Sequence, residues 1–144
     1  ALSFMRDGRE AEWLRRRAPG AVVVGKIELA EAVASLAALD AGGDAVWICR
    51  GDLGDQLGLP ALARLVARLE PAASRSPMLM AGQVLEHLTA SLEPTRSEIC
   101  HLHDLIARGY SGIVLSDETA IGRAPAAAAR TAVALCDELS GASR

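Results

Sequence analysis

Two stretches decide how this chain folds: Val22-Val23-Val24-Gly25-Lys26-Ile27-Glu28 and Val46-Trp47-Ile48-Cys49-Arg50-Gly51-Asp52-Leu53-Gly54. Each opens as a short apolar run rich in β-branched residues, the pattern of a buried strand. Each then ends in groups that ionise, Lys26 and Glu28 in the first and Asp52 in the second. Side chains alternate along a strand, so Lys26 and Glu28 point to one side. If the two strands are parallel neighbours, their C-terminal ends gather two carboxylates and an ammonium in one small volume. Such a group serves packing poorly and suits a metal and oxyanion site.

Working outward, the same alternation repeats. Ala1 to Met5 reads as the end of a strand, Glu10 to Arg17 as a helix closed by Pro19-Gly20, and Leu29 to Leu39 as a helix stopped at Ala41-Gly42-Gly43. Leu62, Leu65, Val66 and Leu69 recur at helical spacing, with Pro60 early enough to be a first-turn proline. Pro77 to Gly82 reads as a strand entered through proline. Thr95 with Glu98 three residues on predicts a capping box, opening a helix that Gly109 stops near Arg108. A fifth strand is expected over Gly112 to Ser116, and a last helix from about Pro125 through Leu139.

Five strand-helix units in strict alternation predict an α/β fold with a parallel sheet and right-handed crossovers. An open doubly wound sheet and part of a closed (β/α)8 TIM barrel both satisfy this. No strand is followed by the glycine fingerprint of a dinucleotide site. The polar residues Lys26, Glu28, Asp52, Gln83, Ser116 and Glu118 all fall at or just past strand C-terminal ends, on four different strands. That distribution is typical of a barrel's catalytic face, so a partial barrel over residues 1–144 is expected as a single domain. Closure takes eight strands and typically about 250 residues. Five units leave two exposed edges, which invite the rest of a barrel or a second copy.

Bulk properties narrow the function. The 144 residues are 51% hydrophobic with a net charge of −3, both signs scattered along the chain. No basic block or aromatic-basic interleaving suggests a nucleic-acid surface. No apolar run approaches the roughly 18 residues of a membrane span, and no secretory signal is visible. The 3 cysteines, Cys49, Cys100 and Cys136, are odd in number and far apart, which favours reduced thiols and a cytoplasmic location. The chain opens on alanine, not methionine, so a processed chain or a piece of a longer one is expected.

At Lys26-Ile27-Glu28 and Arg50-Gly51-Asp52-Leu53-Gly54 the sequence resembles the pyruvate kinase family, of the phosphoenolpyruvate/pyruvate-binding barrel superfamily. Ser3-Phe4-Met5-Arg6 resembles that family's barrel strand just after its lid domain. Ala81-Gly82-Gln83-Val84-Leu85-Glu86 resembles Ala-Thr-Gln-Met-Leu-Glu, and Pro94-Thr95-Arg96-Ser97-Glu98 resembles Pro-Thr-Arg-Ala-Glu. Leu115-Ser116-Asp117-Glu118-Thr119-Ala120 resembles Leu-Ser-Gly-Glu-Thr-Ala. Short motifs in the right order at compatible spacings are specific where any one alone is weak. The match implies strands four to eight of the family's barrel.

The resemblance implies phosphoryl transfer between phosphoenolpyruvate and ADP, with pyruvate and ATP on the other side. It assigns Glu28 and Asp52 to a divalent cation, Mg²⁺ or Mn²⁺, for which carboxylate oxygens are apt ligands. Lys26 is the catalytic ammonium facing the transferring phosphoryl group. Cys49, Gly51, Asp52 and Gly82 are expected at the substrate, with Arg50-Gly51-Asp52 opening a helical turn that presents its N–H groups. K⁺ is implied too, its ligands largely outside this chain. A homo-oligomer, or association with the missing barrel portion, is expected, with no nucleic acid and no membrane partner.

Departures from the family pattern carry weight. Gly82 stands where the family has a threonine beside the enolate carbon, and Asp117 replaces a glycine. The first three strands, the lid and the C-terminal domain of the family have no counterpart here, so the chain alone is not expected to be a competent kinase. Plainer readings stand beside these. Acids favour first helical turns, which alone would account for Glu28 and Asp52. Lys26 and Glu28 could form a structural ion pair, Arg50 a buried one, and Thr95 and Glu98 a simple cap. Cys100-His101-Leu102-His103 does not share one helical face as a zinc pair would. Two rival functions remain: a divalent-metal aldolase or lyase working through a pyruvate enolate, favoured by the loss of the threonine hydroxyl, and a non-catalytic, self-associating half-barrel.

Overall fold

A computed structural model describes residues 1–141. Contacts along the chain gather into two compact units, Ala1–Leu79 and residues from Met80 onward, and each is described by itself.

The first unit opens with α1 (Arg9–Arg17), an amphipathic helix with acids in its first turn and arginines in its last, the placement its dipole favours. Then come β1 (Val24–Ile27), α2 (Ala30–Ala34), α3 (Leu36–Gly42) and β2 (Ala45–Cys49). They are followed by α4 (Arg50–Leu57), α5 (Leu59–Arg68), a 3₁₀ turn at Pro71–Ala73 and the start of β3 (Met78–Ala81). β1 and β2 pair in parallel, Val24 opposite Ala45 and Ile27 opposite Ile48. Carried one residue on, that register sets Glu28 level with Cys49, where α4 begins.

The core here is aliphatic: Met5, Val23, Ile27, Leu39, Val46, Ile48 and Leu53 are all buried. In β1 Gly25 and Ile27 are buried while Val24 and Lys26 are half-buried, the alternation a strand imposes. Gly25 is there for closeness. A Cβ on it would lie 2.9 Å from the Met5 sulfur, so a side chain would displace Met5.

The second unit holds the end of β3, a 3₁₀ turn at Glu86–Thr89, α6 (Arg96–Ala107), β4 (Gly112–Val114), α7 (Asp117–Ala120) and α8 (Pro125–Gly141). Leu85, Leu88, Leu102, Leu105, Ala128 and Ala132 are buried within it. The predicted capping box is present at the start of α6. Glu98 N–H donates to Thr95 Oγ1 (3.2 Å) while Thr95 N–H donates to Glu98 Oε2 (2.7 Å). β3 and β4 are neighbouring strands.

Three expectations are corrected. The strand expected over Ala1 to Met5 is a single parallel bridge, Leu2 beside Gly25, so four of the five expected strands form. Its next residue but one, Phe4, turns to φ 55°, which no strand tolerates. The helix expected over Leu29 to Leu39 is broken at Ser35 (φ −101°, ψ 10°), whose N–H still reaches Ala32 but whose own torsions leave the helix. The helical turn expected at Arg50 is a full helix of 8 residues, ended where Gly58 takes φ 77°.

Candidate active site

Lys26 is the last half-buried residue of β1 and Glu28 the first residue past it. Glu28 is 3% exposed. A carboxylate that deep needs partners, since burying an unpaired charge costs several kcal/mol or more. It has them on both oxygens. Lys26 Nζ pairs with Oε1 at 2.5 Å, and Phe4 N–H donates to Oε2 at 2.8 Å. Lys26 Nζ also donates to Ser3 Oγ at 3.2 Å.

The backbone of Glu28 is pinned as well. Gln56, on α4, donates its Nε2–H to the Glu28 carbonyl (3.1 Å) and accepts the Ala30 N–H on Oε1 (3.0 Å). One amide thus ties the turn after β1 to the helix that carries Asp52. Asp52 lies exposed in the first turn of that helix. Its negative charge, with that of Glu28, acts on Lys26.

The hydrogen bond to Glu28 holds the Lys26 ammonium above its ordinary pKa, against an opposing push from burial. Lys26 is therefore a cation throughout the neutral range. Cys49 behaves in the opposite way. Burial pushes its thiol up to about 12, and the charge of Glu28 adds to this. It remains a thiol and donates weakly to the Trp47 carbonyl at 3.7 Å.

Gly51 sits in the same turn as Asp52, and a Cβ there would meet open space. No part of the fold requires a glycine at that point, while a bare backbone leaves its face accessible. First-turn amides have no intrahelical acceptor, so they are available to an anion. Lys26 and Glu28 are thus paired at the end of β1, level with Cys49, and Gly51 and Asp52 lie in the first turn of the helix that starts there.

Gly82 belongs to the second unit and takes φ 85°, and Gln83 after it takes φ 52°. A left-handed backbone is natural for glycine and costly for a threonine. In the same unit Glu118 is 1% exposed and accepts the Ser116 N–H at 2.6 Å. Glu86 is held above its ordinary pKa by burial first, then by the charges of Glu118, Asp117 and Glu98.

Sequence reasoning missed Phe4 and Gln56. Gln56 could have been suspected, lying on a helix that starts at the site, but its reach across to the Glu28 carbonyl is a matter of distance. Phe4 stands out in the sequence only as part of Ser3-Phe4-Met5-Arg6, and its contact with Glu28 is made by a backbone torsion that no side-chain pattern encodes.

Residues 1–129 match the family described as pyruvate kinase, barrel domain. The chain belongs to the pyruvate kinase family. A pyruvate kinase of Mycobacterium tuberculosis is 34% identical over 140 residues, which cover 91% of this chain and 29% of the relative. A probable cytosolic pyruvate kinase isozyme of Arabidopsis thaliana is 33% identical over 144 residues, covering 96% of this chain and 29% of that protein. Among solved structures, the pyruvate kinase of Pyrobaculum aerophilum superposes with a TM-score of 0.83 at 29% identity, over 95% of this chain and 34% of that one. This chain therefore spans under a third of the length of the curated pyruvate kinases it resembles. Its four-stranded α/β sheet corresponds to part of the pyruvate kinase barrel. No helix among the described residues is long and apolar enough to cross a membrane.

Proposed function

We propose that this chain is the second portion of a pyruvate kinase barrel and contributes its ammonium and metal carboxylates to phosphoryl transfer between phosphoenolpyruvate and ADP. The observation that carries the reading is the Lys26–Glu28 ion pair at the end of β1, level with the start of the helix whose first turn carries Asp52. Among the described residues no three His, Cys, Asp or Glu side chains form a metal cage. Two carboxylates suit Mg²⁺ or Mn²⁺ nonetheless, because such ions take one or two protein oxygens and complete their shell with water and substrate. Glu28 and Asp52 would hold the cation, which when bound supplies positive charge where negative charge develops on the substrate.

Lys26 serves the phosphoryl group. It is preorganised by Glu28 and Ser3 and needs no rearrangement to meet an incoming anion. Gly51 and the amides around it receive the substrate carboxylate, with the neutral Cys49 thiol forming the apolar floor. Residues beyond this chain supply the K⁺ ligands and the remaining phosphate contacts, so the chain alone is not a competent kinase. Cytoplasmic glycolysis in a homo-oligomer is the setting this reading implies. Gly82 favours a second reading, an aldolase or lyase using the same enolate chemistry, since no hydroxyl is present there to assist protonation.

Mn²⁺ titration of the chain, read by water-proton relaxation, tests the assignment. The expected result is saturable binding that is lost in Asp52→Ala and in Glu28→Gln. Unchanged affinity in both would overturn it.

A further inference from the structure

Phe4 has φ 55° although it is not glycine, and the residue is 56% exposed. A bulky residue in the left-handed region is strained, and an exposed ring gains too little from packing to explain it. Both flanks of Phe4 are anchored. Leu2 donates to the Val24 carbonyl at 2.7 Å and accepts the Lys26 N–H at 3.0 Å, while Met5 is fully buried against Gly25. Between those anchors the chain turns sharply, and the turn aims the Phe4 N–H at Glu28 Oε2, 2.8 Å away.

We infer that Phe4 is a positioning residue: its left-handed backbone directs an amide that, opposite Lys26, clamps the Glu28 carboxylate in the orientation that receives the cation. The inference rests on the metal assignment proposed above. A carboxylate offers about four lone-pair positions. Lys26 takes one on Oε1 and Phe4 takes one on Oε2, leaving one on each oxygen for a metal. Without the amide, Glu28 would keep only the Lys26 contact and could rotate about its last bond. Partners of this kind commonly change metal affinity about 10–100-fold when removed.

The test separates backbone from ring. Phe4→Gly removes the ring but adopts positive φ freely. Phe4→Val also loses the ring, and its β-branched side chain resists that torsion. Mn²⁺ affinity in Phe4→Gly is expected within about 2-fold of the parent chain, and in Phe4→Val weaker by about 10-fold or more. Circular dichroism checks that both are folded. A folded Phe4→Val with parental affinity overturns the inference, as does a Phe4→Gly as weak as Phe4→Val. A second measurement needs no metal: the Phe4 amide proton, shifted downfield by a carboxylate acceptor, is expected to move upfield in Glu28→Gln. If it stays in place, the clamp does not exist. Should the parent chain bind no Mn²⁺, the metal assignment fails and the amide shift alone decides the clamp; it decides equally if Phe4→Val does not fold.

Discussion

The Cys49 thiol is pushed up to about 12, by burial first and by the charge of Glu28 second, while the Lys26 cation opposes them. The thiolate is the nucleophile, so a thiol held that high is inert at neutral pH. Cys100, by contrast, is exposed on its helix. Iodoacetamide at about pH 8 is expected to alkylate Cys100 well before Cys49, with both modified only once urea unfolds the chain. Mass spectrometry of the time course reads this directly; early labelling of Cys49 would mean that its thiol is reachable from solvent. Lys26 follows the opposite logic. Its pKa is raised by Glu28, so its ion pair stabilises the fold at neutral pH and that contribution is lost only as pH rises past about 10.5. The ion pair that a plain structural reading predicts is present.

Asp40, near the end of α3, organises the loop that leads into β3. One oxygen accepts Ser74 Oγ–H and Ser76 N–H, and the other accepts Arg75 N–H, each at 2.8 Å. Ser76 Oγ–H returns the contact to the Asp40 carbonyl at 2.6 Å. Burial alone would raise the Asp40 pKa, but these donors outweigh it and leave the carboxyl below its ordinary 3.8. A depressed pKa means stability that is present above about pH 4 and lost as pH falls toward the folded value. Asp40→Asn is expected to cost about 1–2 kcal/mol at neutral pH, discounted for partial exposure, and less at about pH 3. Urea unfolding at the two pH values checks this, and a cost that does not shrink in acid would assign the loss to packing. Helix boundaries show which element features are legible in a sequence. The Thr95–Glu98 box was, because both halves of its chemistry are side chains three residues apart. The break at Ser35 was not, because a serine inside an Ala/Leu run is compatible with either outcome.

Eight strands close a barrel of this kind, and the described residues supply four. Beyond the single Leu2 bridge, the described residues offer the outer edge of β1 no further strand. An unpaired edge is a template for another chain. Sedimentation velocity across a wide dilution series is therefore expected to show concentration-dependent association of the 144-residue chain. A species that stays monomeric at every concentration would count against edge pairing.

Strand-helix alternation, the ends of β1 and β2, and the charged groups just past them were determined by the sequence alone. Each depends on a local pattern: period-2 apolarity, helical spacing, and ionisable residues where a buried run stops. Only the tertiary structure decided that the strand expected at Ala1 to Met5 shrinks to a bridge, that Gln56 pins the turn after β1, and that Phe4 reaches Glu28. Those outcomes depend on backbone torsions and on contacts between residues far apart in the chain, which no local pattern encodes.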